Sequence, residues 1–157
     1  MARWQDIERE APEVAEGGRR LIYQYGIGLG YLATVAPDGT PRIHPFCPIL
    51  EGGGLYGFFV PSPKRNDLHR TGRFGFHTFA AEERDDEFFC SGAARRVTDP
   101  EVTERVLAKY RADGGNNAPN EELFELEPER ALLALYKPRG APDYWPPRYL
   151  KWRAGGR

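Results

Sequence analysis

Residues 31–46, Tyr31-Leu32-Ala33-Thr34-Val35-Ala36-Pro37-Asp38-Gly39-Thr40-Pro41-Arg42-Ile43-His44-Pro45-Phe46, decide how the rest of the chain is read. Tyr31 to Ala36 has the composition of a strand, and Arg42 to Leu50 resumes it. Between them Pro37 presets φ and Gly39 accepts a positive φ, so the stretch predicts a hairpin. Glu51-Gly52-Gly53-Gly54 is a second turn into Leu55–Val60, which extends the expectation to a three-stranded antiparallel meander. Pro45 and Pro48 cannot donate to a ladder, so the second strand is an edge there, is bulged, or faces a ligand.

Upstream, Pro12 fits a first helical turn, and Val14, Leu21, Ile22 and Tyr25 recur at helical spacing, with Gly17-Gly18 as a weak point. Gly26-Ile27-Gly28-Leu29-Gly30 follows this helix and leads into a strand, the reverse of the order a dinucleotide-binding loop requires. Downstream, a short helix is expected over Lys64–Arg70. Strands are expected over Phe74–Ala80 and Phe88–Val97, the second with a small-residue centre, Ser91-Gly92-Ala93-Ala94, that lets another group approach the backbone. Thr98-Asp99-Pro100-Glu101 opens a helix ending near Arg111, and Phe124 to Tyr136 is the last strand region. The tail from Pro142 to Trp152 is too aromatic to be disordered and must pack on something. The chain is thus expected to be mainly β, a small antiparallel β-barrel with peripheral helices. It forms one domain: 1–28 an N-terminal helix, 29–136 the barrel with inserted helices, 137–157 the aromatic tail.

The 157 residues carry 22 Lys or Arg against 23 Asp or Glu, a net charge of −1. That balance argues against a nucleic-acid or anionic-membrane partner, both of which need a basic excess. No stretch reaches the roughly 20 apolar residues of a membrane span, and residues 1–6 lack a signal-peptide core, so a cytoplasmic location is expected. With 2 Cys, a disulfide scaffold is excluded, and both Cys47 and Cys90 sit in apolar runs.

Two groups of residues could carry chemistry. Ser62-Pro63-Lys64-Arg65-Asn66 leads from a strand into a helix start, where free N–H groups, a hydroxyl and two cations suit a phosphate; the other reading is a solvated basic turn. At Arg42-Ile43-His44-Pro45-Phe46 the interrupted strand leaves backbone groups that can hydrogen-bond the edge of a flat heterocycle, with His44 either facing that ligand or simply packed. His44, His69, His77, Cys47 and Cys90 show no paired ligand spacing, so no metal site is expected; a haem, needing one axial His, stays open. Ser91 lacks a nucleophile elbow.

Taken in order, Leu32-Ala33-Thr34-Val35, Pro37 to Phe46, Gly54-Leu55-Tyr56-Gly57-Phe58, Ser62-x-Lys64-x-Asn66-x-Leu68, Gly72 to Phe76 and Ser91 to Pro100 resemble the pyridoxamine 5′-phosphate oxidase-related FMN-binding split-barrel family, over about residues 29–111. The resemblance implies a homodimer with two flavins in grooves between the subunits. It implies that Lys64, helped by Ser62, Arg65 or Asn66, holds the FMN phosphate, and that Thr34 and the His44-Pro45-Phe46 backbone lie along the ribityl chain and ring. Trp145 and Trp152 would either cover the ring or pack at the dimer interface. No catalytic side chain is implied: the flavin would pass a hydride or electrons to a small flat substrate. The arginine-rich strand and the carboxy-terminal segment of the true oxidases are absent, so the likeness does not extend to that reaction. Related alternatives are an F420-dependent reductase and a flavin- or haem-binding protein without turnover.

Overall fold

The computed structural model describes residues 1–156. In chain order the elements are α1 (Trp4–Glu10), α2 (Pro12–Ile22), β1 (Gly30–Val35), β2 (Pro41–Phe46), β3 (Ile49–Glu51), β4 (Gly54–Phe59), α3 (Pro63–Thr71), β5 (Arg73–Thr78), β6 (Glu87–Arg96), α4 (Pro100–Ala112), β7 (Glu122–Leu135) and β8 (Arg148–Arg153). All eight strands form one sheet in the order β2-β1-β5-β6-β7-β4-β3, with β8 on β7. Every pairing is antiparallel.

The β1–β2 hairpin forms as expected, in register from Gly30↔Phe46 to Val35↔Pro41, with Gly39 at φ 87° in its turn. The second expected hairpin also forms, joining β3 to β4, but the expected second strand is broken at Cys47-Pro48, so the meander is not continuous. β3 and β4 pair with each other and β4 pairs with β7, so β2 and β3 close opposite ends of the sheet although only Cys47-Pro48 separates them. A two-residue link allows this only if the sheet curls until its ends face one another. The barrel is therefore split at that line. Prolines 45 and 48 flank the split, where their missing N–H groups break no ladder bond.

The barrel core is aromatic. Phe46 lies edge-on to Phe76 with ring centroids 5.4 Å apart and stacks on Phe59 at 5.9 Å, while Phe59 meets Phe124 at 5.8 Å. Each such pair contributes about 0.5–1.5 kcal/mol beyond its area burial. The N-terminal segment forms two helices rather than the single one expected. Trp4 of α1 is fully buried against Phe88. Gly17 and Gly18 permit the close approach of α2, since a Cβ there would lie 2.3 Å from Leu133 and 2.7 Å from Phe88. α4 covers a smaller cluster of Ile49, Tyr56, Val97, Val106 and Leu123.

What approaches the small-residue centre of β6 is β7. A Cβ on Gly92 would lie 2.0 Å from the Glu127 carbonyl oxygen, and the register shifts between Ser91 and Gly92 opposite Pro128. This bulge lets β7 run through Glu127-Pro128-Glu129 as one strand of 14 residues. Its first half pairs with β4 and its second half with β8, which the tail contributes. No helix of the described residues is long and apolar enough to cross a membrane.

Candidate functional site

α3 starts where the chain leaves β4. Ser62, in extended conformation, caps it by accepting from the Arg65 N–H at 3.4 Å, and Pro63 occupies the first turn. The helix is pinned to the first hairpin by the buried Asp67. Its carboxylate accepts from Thr34 Oγ1 (2.8 Å), Arg42 Nε (2.9 Å) and Arg70 Nη1 (2.9 Å). Burial alone would raise this carboxyl, but the bonds from Arg70, Thr34 and Arg42 outweigh it and hold the group below its ordinary value.

This framework presents Lys64 at the split. Its ammonium makes one long contact, 3.5 Å, to the Pro45 carbonyl oxygen. Burial pushes its pKa down. His44, on β2, keeps a buried Nε2 without a hydrogen-bond partner. Burial, then the charges of Lys64 and Arg42, lower its pKa. Beside Lys64 lies a cavity of about 200 Å³ with an apolar wall of Phe46, Phe58 and Val60 and a polar end of Cys47, Tyr110 and Glu121. Burial leads the causes that lift the Tyr110 phenol to about 12, and burial also raises the Glu121 carboxyl, whose Oε2 has no partner. A carboxyl raised by burial, a neutral phenol and a cation with one weak contact thus line one apolar slot.

The residues expected at the site separate into three groups. Lys64, His44, Pro45 and Phe46 come together at the split. Thr34, Ser62 and Arg65 are nearby but engaged within the protein: Thr34 holds Asp67, Ser62 also donates to the Val60 carbonyl at 2.9 Å, and Arg65 donates to the carbonyls of Phe59 (3.3 Å) and Asn120 (2.8 Å). Asn66 is exposed on the next turn. Trp145 does not line this cavity; it is 67% exposed and sits 6.4 Å from Tyr136, in a group with Tyr144 on the approach to β8. Trp152 is buried in the core and donates from its indole to Glu10 at 2.8 Å. Sequence reasoning missed Tyr110 and Glu121. Val102, Val106 and Tyr110 form an i, i+4, i+8 stripe on α4 that marks Tyr110 as inward-facing, whereas Glu121 carries no such signal.

The split, the curled antiparallel sheet and the flanking helices define the class of fold: a split β-barrel. No family model and no curated protein matches the sequence. Among solved structures, a Listeria innocua protein provisionally named a pyridoxamine 5′-phosphate oxidase superposes with a TM-score of 0.60 at 17% identity, over 80% of this chain and 98% of that one. The haem storage protein HutZ of Vibrio cholerae gives 0.58 at 18% identity, over 76% and 89%. An F420 reductase gives 0.52 at 18% identity, over 66% and 87%. At these identities the likeness is one of fold.

Proposed function

We propose that the chain is an FMN-binding oxidoreductase acting as a homodimer, with the flavin phosphate held by Lys64 at the start of α3. The observation that carries this reading is the state of Lys64, a cation lowered by burial, with one weak contact, at a helix N-terminus and beside the unpartnered His44 Nε2. A phosphate would supply an acceptor for the Lys64 ammonium and a hydrogen-bond partner for His44 Nε2. The residues present fit the group in part. Phe46, Phe58 and Val60 offer an apolar slot, but about 200 Å³ is below the usual 300–1,000 Å³ of an enclosed ligand site, so the remainder must be covered by something else.

A second subunit is the natural cover. The outer face of β1 and β2 exposes Tyr31 (44%), Val35 (42%) and Ile43 (70%) around Ala33 and Pro45, an apolar patch of the kind that marks a protein interface. Such a partner would bring its own Tyr136–Tyr144–Trp145 group within reach of a flavin that it does not contact in its own chain. When bound, the flavin supplies the hydride or electron transfer; the protein binds, orients and excludes water. The named solved structures include one F420 reductase and one haem storage protein, so the cofactor itself is the point to test.

Absorption of the purified protein separates the readings: paired flavin bands support FMN, a Soret band supports haem, and selective uptake of deazaflavin supports an F420 reductase. Titration of apo-protein with FMN is expected to show Lys64→Ala weakening binding by about 1.5–3 kcal/mol, roughly 10- to 150-fold. An unchanged dissociation constant removes Lys64 from the site. Sedimentation is expected to give twice the 17.8 kDa chain mass, and Ile43→Glu to shift the protein toward the monomer.

A further inference from the structure

A concavity of about 740 Å³ lies away from Lys64, where β7 and β8 meet the end of α1. Phe89, Ala131 and Leu132 are among its apolar lining residues. Arg130, Lys151 and Arg153, all exposed, also line it. The sheet register places Arg130 directly opposite Arg153 and Leu132 directly opposite Lys151, so the cations are cross-strand neighbours. Directly opposed residues of a pair have Cβ atoms about 4.5–5.5 Å apart, and like charges in that relation destabilise a sheet.

Most arginines among the described residues are paired instead. Arg3, Arg42, Arg70, Arg73, Arg95 and Arg139, among others, each have a carboxylate within 4 Å. Arg130, Lys151 and Arg153 have none among the described residues. The one acid lining the cavity, Glu10, is engaged by the Trp152 indole at 2.8 Å and by Arg9 at 2.9 Å. The acid whose charge Arg130 does feel, Glu129, is itself bonded by Arg73 at 2.7 and 2.8 Å, so the three clustered cations beside an apolar floor leave room for an anion.

We infer that this cavity binds a small amphipathic carboxylate, its apolar body on Phe89 and Leu132 and its charge between Arg130, Lys151 and Arg153. Arginine pairs with a carboxylate in bidentate fashion, which fixes orientation as well as charge. Burial of an aromatic or aliphatic body supplies the rest of the affinity. The inference stands independently of the flavin reading, since none of these residues lines the Lys64 cavity. A second copy of the chain is the competing occupant, because Phe89 and Leu132 continue the row Tyr31–His77–Phe89–Leu132 across the outer sheet face. The cations argue against it: a self-complementary contact through this end would bring positive charges from both copies into one interface.

The test is calorimetric titration of the full chain with 2-naphthoate and, separately, with its neutral isostere 2-naphthamide. One saturable site per chain is expected for the acid, with the amide at least tenfold weaker. Binding of the acid should weaken as salt is raised. The variant pair Arg130→Gln with Lys151→Gln, both at exposed positions, should lose at least tenfold in affinity, while Lys64→Ala leaves it unchanged. No saturable binding, equal affinity for acid and amide, or indifference to the Gln pair each overturns the proposal. So does loss of the site as the protein self-associates, which would make the second copy the occupant. Because Lys64→Ala tests the flavin site separately, failure of one reading is distinguishable from failure of the other.

Discussion

Lys64 and Asp67 lie three residues apart on α3 and treat charge in opposite ways. Asp67 is buried and accepts from three side chains on β1, β2 and α3 itself. Lys64 has one carbonyl at 3.5 Å. The first arrangement fixes the helix to the hairpin, and the second leaves a cation waiting at the place so fixed. A charge that stabilises a fold has its partners within the chain. A charge available to a ligand would be held in place by its neighbours and left without a strong partner of its own.

The comparison is broken most easily at Asp67. Asp67→Ala leaves Arg42 and Arg70 without their acceptor; both are about a third exposed and regain some water, so the expected loss is about 2–4 kcal/mol, less than for a fully buried pair. Urea unfolding measures it, and a change near zero would place Asp67 with Lys64 rather than against it. Next in size is an acid effect. The folded carboxyl lies below the ordinary 3.8, so its contribution is full above that pH and is lost as pH falls from 3.8 through the lower folded value. Stability curves of wild type and Asp67→Asn should converge in that window.

Lys64→Ala is expected to alter the stability of the ligand-free protein by no more than about 0.5 kcal/mol, measured by the same urea curves, although on the proposed function it should weaken FMN binding. The smallest effect concerns His44, which burial and the charges of Lys64 and Arg42 hold below 6.5. A bound phosphate would raise it again, so binding near and below that pH should take up a fraction of a proton. Calorimetry in two buffers of different ionisation heat reads this uptake, and His44→Gln should abolish it. Absence of uptake in the wild type separates His44 from the anion.

The hairpin was legible because its turn residues can do little else, and the split was legible as a defect, two prolines where a ladder should continue. Its consequence was not: the same defect that marks an edge also lets consecutive strands part to opposite ends of the sheet, and nothing local distinguishes a strand that turns back from one that leaves. α1 was hidden because its cap, Arg3, is not a capping type and its seven residues carry few periodic positions. Pro128 disguised β7 as two pieces, since the register shift that accommodates it, with Glu129 as the extra residue, depends on the missing Cβ of Gly92 on another strand. At the site, Lys64 was readable from its own segment. Lys64 and Arg65 look equivalent in sequence, yet one faces the cavity while the other bonds to carbonyls of Phe59 and of Asn120, 55 residues away. That distinction is made by tertiary contacts.

Trp4 and Trp152 belong to one core, and Glu10 receives the Trp152 indole proton across 142 residues. On a ribosome adding roughly 5–20 residues per second, the opening helices emerge on the order of ten seconds before the strand that seals them. In the last second or two of that interval, on the order of the time needed to add residues 136–147, the outer edge of β7 is unpaired along its second half. The nascent chain is therefore most vulnerable to aggregation or chaperone capture just before β8 emerges, and slowing translation ahead of residue 148 should lower the yield of native protein.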